Sequence, residues 1–180
     1  HVEIQFNKIK LIYNDPRRFG YFLTFNNKIE LKRKFSHFGP EPFAKSFKVK
    51  NIIKYIKKKE KNIKNFLLDQ KFVSGIGNIY ASEILFMSRV NPNKKIKFLN
   101  NRDCCQIMIN SKKVLLNAIK KGGSSIRDFI NTDGFQGTFQ DNFKVYQREG
   151  LICKRINCKG KIVKKVIANR STFFCNSCQN

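Results

Sequence analysis

The rhythm of apolar and polar positions changes twice along the chain. Over residues 1–35 it is that of strands: VEIQF and KLIYN alternate or run apolar, YFLTF follows RRFG, and the asparagine pair at 26–27 suits a turn. This reads as the end of a β-rich domain. GPEP at 39–42 punctuates the chain and marks a junction, after which the period becomes helical. Val49, Ile52, Ile53 and Ile56 fall at i, i+3, i+4 and i+7, and Ile63, Phe66 and Leu67 open a second, short helix. GIGN at 75–78 makes a tight turn into a third helix, expected to run to about Ser88 with the Asn-Pro pair at 91–92 as its stop. A fourth helix, capped by Asn101 or Asp103, places Met108, Leu115 and Ile119 on its buried stripe and ends at the glycine pair 122–123. Residues 124–140, rich in Gly, Ser, Thr and Asp, read as a mobile loop. Residues 141–180 return to short strands around four cysteines. The fold class is α+β.

With 180 residues and 41% hydrophobic positions, the chain is long enough for one ordinary domain or two small ones and apolar enough to fold. No apolar run reaches the length of a membrane span and no signal peptide is present, which points to a soluble, cytoplasmic protein. The chain begins at His1, in the middle of an apolar pattern, and the expectation is that further residues precede it. The net charge of +25 repels itself in a compact state unless a polyanion neutralises it, so nucleic acid is the expected partner. A membrane surface fits less well, because no helix pairs a long basic face with a bulky apolar one. Abundant Lys, Asn, Ile and Phe also match the drift of AT-rich coding, so part of the charge is compositional. That makes the nine arginines among 37 basic residues informative, Arg17, Arg18 and Arg170 above all, since only Arg offers a planar fork.

Cys153 and Cys158, then Cys175 and Cys178, form two close pairs separated by sixteen residues. Two thiolate pairs at a hairpin's distance suit a tetrahedral zinc ion, and four cysteines close the coordination shell, so the site is structural. KGKIVKKVIANRSTFF between the pairs reads as two strands with a turn near Ala168 and Asn169. So short a segment has little core of its own, and the metal supplies folding energy. The competing reading is four unrelated buried thiols. The finger is basic, and its expected role is to hold Arg170 on a rigid turn towards DNA. Cys104 and Cys105 read as helix core or reduced surface thiols, His37 as packing or surface, and Glu3 as structural or solvated.

Two further turns carry chemistry. SGIGNIYASE sets two glycines before a helix, where the backbone can approach a phosphate, the helix N-terminus favours an anion, and Asn78 adds an amide donor. A purely structural turn is the alternative. NDPRRFG, at 14–20, displays two arginines and Phe19 between strand-like runs. An exposed Phe beside Arg suits insertion into a base stack; a surface turn with Phe19 folded inward is the alternative.

Taken in order, YNDPRRFG, FGPEPF, IKNFLLDQKFVSGIGNIYASE, GGSSIRDFINTDGFQGTFQ, VYQREG and the cysteine quartet with NRSTFFCNSCQ resemble formamidopyrimidine-DNA glycosylase, in the wider group that includes endonuclease VIII. The resemblance runs nearly the full length of the chain. It implies the end of a β-sandwich glycosylase domain (1–38), a helix-two-turn-helix DNA-binding domain (39–123), a lesion-recognition lid (124–140) and a zinc finger (141–180), in a monomer associated with the bacterial nucleoid. It implies base-excision repair of duplex DNA carrying oxidised bases or abasic sites: an enzyme that flips oxidised purines (8-oxoguanine, formamidopyrimidines) from the duplex, cuts the glycosidic bond and cleaves the backbone by β,δ-elimination. Arg17 would fill the void and Phe19 wedge beside it. Lys64 would contact DNA near the damaged nucleotide, and Lys59 a phosphate. Asn78 and Arg170 would clamp the flanking phosphates, with Arg170 also acting in the final elimination. Ser124, Ile126, Arg127, Asp128 and Phe129 would begin the lid, working largely through backbone amides, and one structural zinc would sit on Cys153, Cys158, Cys175 and Cys178. GTFQ fits the oxoguanine-directed branch better than endonuclease VIII. The first cysteine pair, with four residues between rather than the commoner two, is a version the family also shows.

One departure is large. The family's nucleophile is the amine of an N-terminal proline, followed by a Glu, with an essential Lys on a later loop, and no residue of this sequence matches any of them. The expectation is a chain that binds damaged or abasic DNA weakly and excises no base. A rival from another class is a non-catalytic zinc-finger module for damaged or abasic DNA. A zinc ribbon of RNA or ribosomes fits the charge but not DPRRFG and GIGN together.

Overall fold

The computed structural model describes residues 2–15, 18–56, 59–125 and 134–179. It divides into two units, His1–His37 and Phe38–Asn180.

In the first unit β1 (Val2–Gln5) pairs antiparallel with β2 (Lys10–Tyr13), Val2 opposite Tyr13 and Gln5 opposite Lys10. Glu3 is solvated and ion-paired to Lys10 at 2.6 Å. Two expectations fail here. YFLTF forms no strand, since an apolar run becomes one only where a neighbouring backbone completes its ladder, and β1 and β2 pair only with each other. Residues Lys28–Phe35 form a helix, α1, rather than strand. The asparagine pair is its cap: Asn27 Oδ1 accepts from the backbone N–H groups of Ile29 and Glu30, satisfying two orphan donors. No described residue of this unit is buried.

The second unit carries the core. Its helices are α2 (Val49–Ile56), α3 (Ile63–Leu67), α4 (Asn78–Met87) and α5 (Asn101–Lys120), followed by the hairpin β3 (Ile162–Ile167) and β4 (Arg170–Cys175). Helix α4 is central, with Ala81 to Phe86 all buried. It stops on Arg89, a non-glycine residue in the left-handed region (φ 59°), two positions before the Asn-Pro pair expected to stop it. Helix α5 is capped by Asn100, one residue earlier than expected, because Asn100 and Asp103 bond each other's backbone in a capping box. Its buried stripe runs through Cys104, Ile107, Ser111, Val114 and Ala118. Ile119, expected on that stripe, lies beyond its edge and is 65% exposed. The glycine pair ends the helix as anticipated, with Gly123 N–H donating to Ala118 O at 2.8 Å.

GPEP is tied to the glycine turn: Gly39 N–H donates to Gln70 O and Ser74 N–H to Pro40 O. The base of the 124–140 loop is closed by a bridge between Ser124 and Thr138 and by Gly137 N–H donating to Ser125 Oγ. In the β3–β4 ladder Ile162 faces Cys175 and Ile167 faces Arg170. Its turn is Ala168 and Asn169, both at positive φ (51° and 56°), the two-residue connection whose twist matches that of the strands. Among the described residues no helix is long and apolar enough to cross a membrane.

Candidate metal centre and nucleic-acid interface

The ladder that sets Ile162 opposite Cys175 also gathers the four cysteines. Their sulfurs all lie within 4.8 Å of one another, with Cys153 to Cys178 at 3.8 Å and Cys158 to Cys175 at 3.6 Å. A tetrahedron of thiolates at the zinc–sulfur bond length has edges of about 3.8 Å, which the 3.6 and 3.8 Å pairs match, and the other pairs, all within 4.8 Å, need close by no more than about 1 Å. Backbone N–H groups stabilise the sulfurs: Arg155 N–H points at Cys153 Sγ and Ser177 N–H at Cys175 Sγ, each at 3.4 Å. The donor set is four soft thiols, and among the described residues no fifth ligand joins them, which suits a structural metal site.

The finger is bolted to α4 along its whole length. At the helix start Asn78 Nδ2 donates to Ser171 O (2.9 Å). In the middle Glu83, 2% exposed, accepts from the backbone N–H groups of Lys144, Val145 and Tyr146 at 2.9–3.1 Å. Burial pushes this carboxyl up, against the pull of those N–H groups. At the helix end an Arg155 guanidinium nitrogen donates to Phe86 O (2.6 Å) and Gln179 Nε2 to Val90 O (2.9 Å). Arg170 is thus carried on the tip of a fixed hairpin, one residue from the carbonyl that Asn78 holds.

The chemistry at the start of α4 suits an anion. Gly77, the N-cap, has no side chain to bond the first N–H groups of the helix. Gly75 has φ 83°, a conformation that any other residue would adopt with strain, and open space lies beside the Cβ positions of Gly75 and Gly77. Behind this turn sits Lys64, fully buried, its Nζ donating to Ser82 Oγ (2.8 Å) and Asn78 O (3.3 Å). Burial, aided by the nearby Arg170 charge, lowers its amine to about 7.

The structure therefore brings Lys64, Asn78 and Arg170 together. Lys59 stands apart at the end of α2, its Nζ 3.4 Å from the Tyr55 ring centre. Phe19 belongs to the first unit and is 75% exposed, not folded inward. Arg17, Ile126, Arg127, Asp128 and Phe129 lie outside the described residues, while Ser124 sits in the bridge at the loop base. Sequence reasoning missed Ser82, Glu83, Arg155 and Gln179. A signal for Glu83 was present: an acid inside the apolar run NIYASEILF is seldom buried without partners. Ser82 lies one turn from Asn78, on the same face.

The family model described as formamidopyrimidine-DNA glycosylase H2TH domain matches residues 38–130. The formamidopyrimidine-DNA glycosylase of Caulobacter sp. (strain K31) is 41% identical over 93% of this chain and 58% of its own length. That of Rickettsia bellii (strain OSU 85-389) is 39% identical over 96% of this chain and 63% of its own. Among solved structures, the MutM (Fpg) protein from Thermus thermophilus superposes with a TM-score of 0.86 at 32% identity, covering 98% of this chain and 67% of that one. Lactococcus lactis Fpg, in a complex with abasic-site-containing DNA, gives 0.87 at 34%, covering 99% and 65%. The chain spans about three-fifths of the length of the curated relatives it matches. Fold, helical core, cysteine quartet and sequence agree: the chain belongs to the formamidopyrimidine-DNA glycosylase family.

Proposed function

We propose that this chain is the DNA-gripping portion of a base-excision repair enzyme, a DNA glycosylase and abasic-site lyase directed at oxidised purines. The observation that carries the reading is the meeting of Asn78, Lys64 and Arg170 at the uncapped start of α4. An amide donor, free helix N–H groups and a guanidinium on one small surface suit the phosphates on either side of a flipped nucleotide. Arg170 is also the charge that would steady the phosphate leaving in the final elimination. Lys64 reaches the same nucleotide from behind the turn, and Lys59 adds a phosphate contact. On the 14–20 turn, Arg17 fills the space of the displaced base and Phe19 wedges into the stack. Ser124, Ile126, Arg127, Asp128 and Phe129 open the lid over it. The four thiols hold zinc, the ion whose chemistry suits a closed sulfur tetrahedron with no redox role. This assigns 1–38 to the glycosylase sandwich, 39–123 to the helix-two-turn-helix domain, 124–140 to the lid and 141–180 to the finger.

The likeness to a relative bound to abasic-site DNA supports the choice of partner. The proline amine, its Glu and the loop Lys on which the family's chemistry rests have no match among these 180 residues. Grip and positioning are assigned to this chain, and excision to a polypeptide that carries all three. The test is a binding titration of the zinc-loaded protein against matched duplexes with and without a central abasic analogue, at several salt concentrations. The abasic duplex should bind more tightly, with affinity falling steeply with salt. Borohydride should trap no covalent adduct on an abasic site. Equal affinity for both duplexes, unchanged by Arg170→Ala, would sink the reading.

A further inference from the structure

The end of α4 opposite the glycine turn opens on a trough of about 910 Å³. One wall is the hairpin face that carries Val163 and Phe174, which stand side by side because the ladder pairs them. The other wall is the segment after α4, ending in Phe98, whose ring is 64% exposed. Both walls are fixed. Asn91 Nδ2 donates to Gln179 O, Gln179 Oε1 accepts from Cys175 N–H, and Ile63 N–H and Ile96 N–H bind Lys94 O and Lys61 O. A preformed concave surface with an apolar floor and a few polar groups at its edge is how proteins receive a ligand segment.

Charge decides what fits. No lining residue is acidic, and the edge carries Lys94, Lys165 and the amides of Asn93 and Asn176. Asp103 holds Lys94 at 2.9 Å, and Lys165 is exposed with no carboxylate partner among the described residues. A second copy of a chain bearing +25 would be repelled. A sugar-phosphate backbone would meet the lysines but leave the accessible apolar surface, chiefly Phe98 with part of Val163 over the buried Phe174, unused. The glycine turn lies at the other end of the ten-residue α4 from Asn91, and the hairpin wall approaches it only through Lys165, which pairs with Thr172 next to the Ser171 that Asn78 holds. Negative charge around one or two bulky apolar side chains satisfies both the rim and the floor.

We propose that this trough docks an acidic peptide segment bearing bulky apolar side chains, supplied by another protein. Such a site would bring a partner to the hairpin whose tip is assigned to DNA.

The probe is a fluorescein-labelled peptide in which Phe and Leu are set among aspartates, titrated by anisotropy into the intact zinc-loaded chain. Phe98→Ser and Lys165→Glu should each weaken binding by roughly tenfold or more. Replacing the probe's Phe and Leu by Ser should do the same. Lys120→Ala, at the far end of the twenty-residue α5 from Phe98, should leave peptide affinity within about twofold, and a short undamaged duplex should not displace the probe. Methyl resonances of Val163 should shift on titration in the unmutated chain, which keeps the test open should either variant fold poorly. Binding that persists with the serine probe, ignores Phe98→Ser and Lys165→Glu, leaves Val163 unmoved or is competed by the duplex overturns the proposal, the last result assigning the trough to nucleic acid.

Discussion

Lys64 holds its amine where few lysines are found, buried and bonded only to neutral oxygens of Ser82 and Asn78. Burial first and Arg170 second depress it to about 7, below the ordinary value that it regains on unfolding. Above about pH 7 the unfolded chain therefore binds the extra proton, and stability from this group rises with pH. Below about 7 both states are charged and the penalty stays constant. Thermal unfolding should thus show a melting temperature that climbs from neutral towards alkaline pH, and Lys64→Met should flatten that slope. An arriving phosphate prefers the ammonium form, so duplex binding should take up a proton near neutral pH. Calorimetry in two buffers of different ionisation enthalpy measures that uptake, and equal heats in both would exclude it. Arg170 offers a separate test. Arg170→Ala should weaken abasic-duplex binding by about 1–3 kcal/mol, the worth of a charged hydrogen bond. Arg170→Lys should recover part of this, because it restores the charge but not the fork. A titration with all three proteins decides it, and identical affinities would remove Arg170 from the interface.

Helix α4 joins the glycine turn to the finger, and Glu83 is its central bolt. The carboxylate answers three successive backbone N–H groups at the entry to the finger, a segment with no regular partner of its own. Glu83→Gln keeps one acceptor but turns an amide NH2 towards the Lys144 N–H. It should lower stability by about 1–3 kcal/mol in denaturant unfolding. If midpoint and slope are unchanged, Glu83 is not the bolt. The boundary of what was legible in the sequence runs through such elements. Helix α2 could be read because Ile52 and Ile56 obey a period that one buried face imposes. The hairpin turn could be read because the strand pattern breaks at Ala168 and Asn169, and asparagine takes left-handed geometry more readily than most residues. YFLTF could not, because strand identity belongs to a pair of segments and one sequence shows only half of the pair. The cap of α5 was misplaced by one residue, since Asn100, Asn101 and Asp103 can each cap and only the reciprocal bonds choose among them. The burial of Lys64 was invisible, because a lysine in a short amphipathic stretch reads as surface.

At the scale of the whole molecule the second unit rests on two unequal supports. The helical core packs Phe66, Ile84, Leu85, Ile107 and many others into one continuous cluster. The finger's own cluster is small, with Val145, Ile162, Phe173 and Phe86 of α4 beside two of the cysteines themselves. Removing the metal leaves four thiols crowded within 4.8 Å with nothing to bind them, and deprives that small cluster of its centre. The large cluster shares Met87 and Tyr146 with it but has its buried centre in the helices. A chelator should therefore melt β3 and β4 while α4 and α5 stay folded, a local opening rather than global unfolding. Limited trypsin digestion reports on this directly. Cuts after Lys164, Lys165 and Arg170 should appear first, while the lysines of α5 remain protected. Arg170 would leave the surface where Asn78 waits, and duplex affinity should fall with a shallower salt dependence, since fewer phosphates are neutralised. Adding zinc back should restore both protection and slope. A hairpin that resists trypsin as well without metal as with it would mean that the bolts from Asn78, Glu83, Arg155 and Gln179 suffice to hold the finger, and that the four thiols add nothing to the grip.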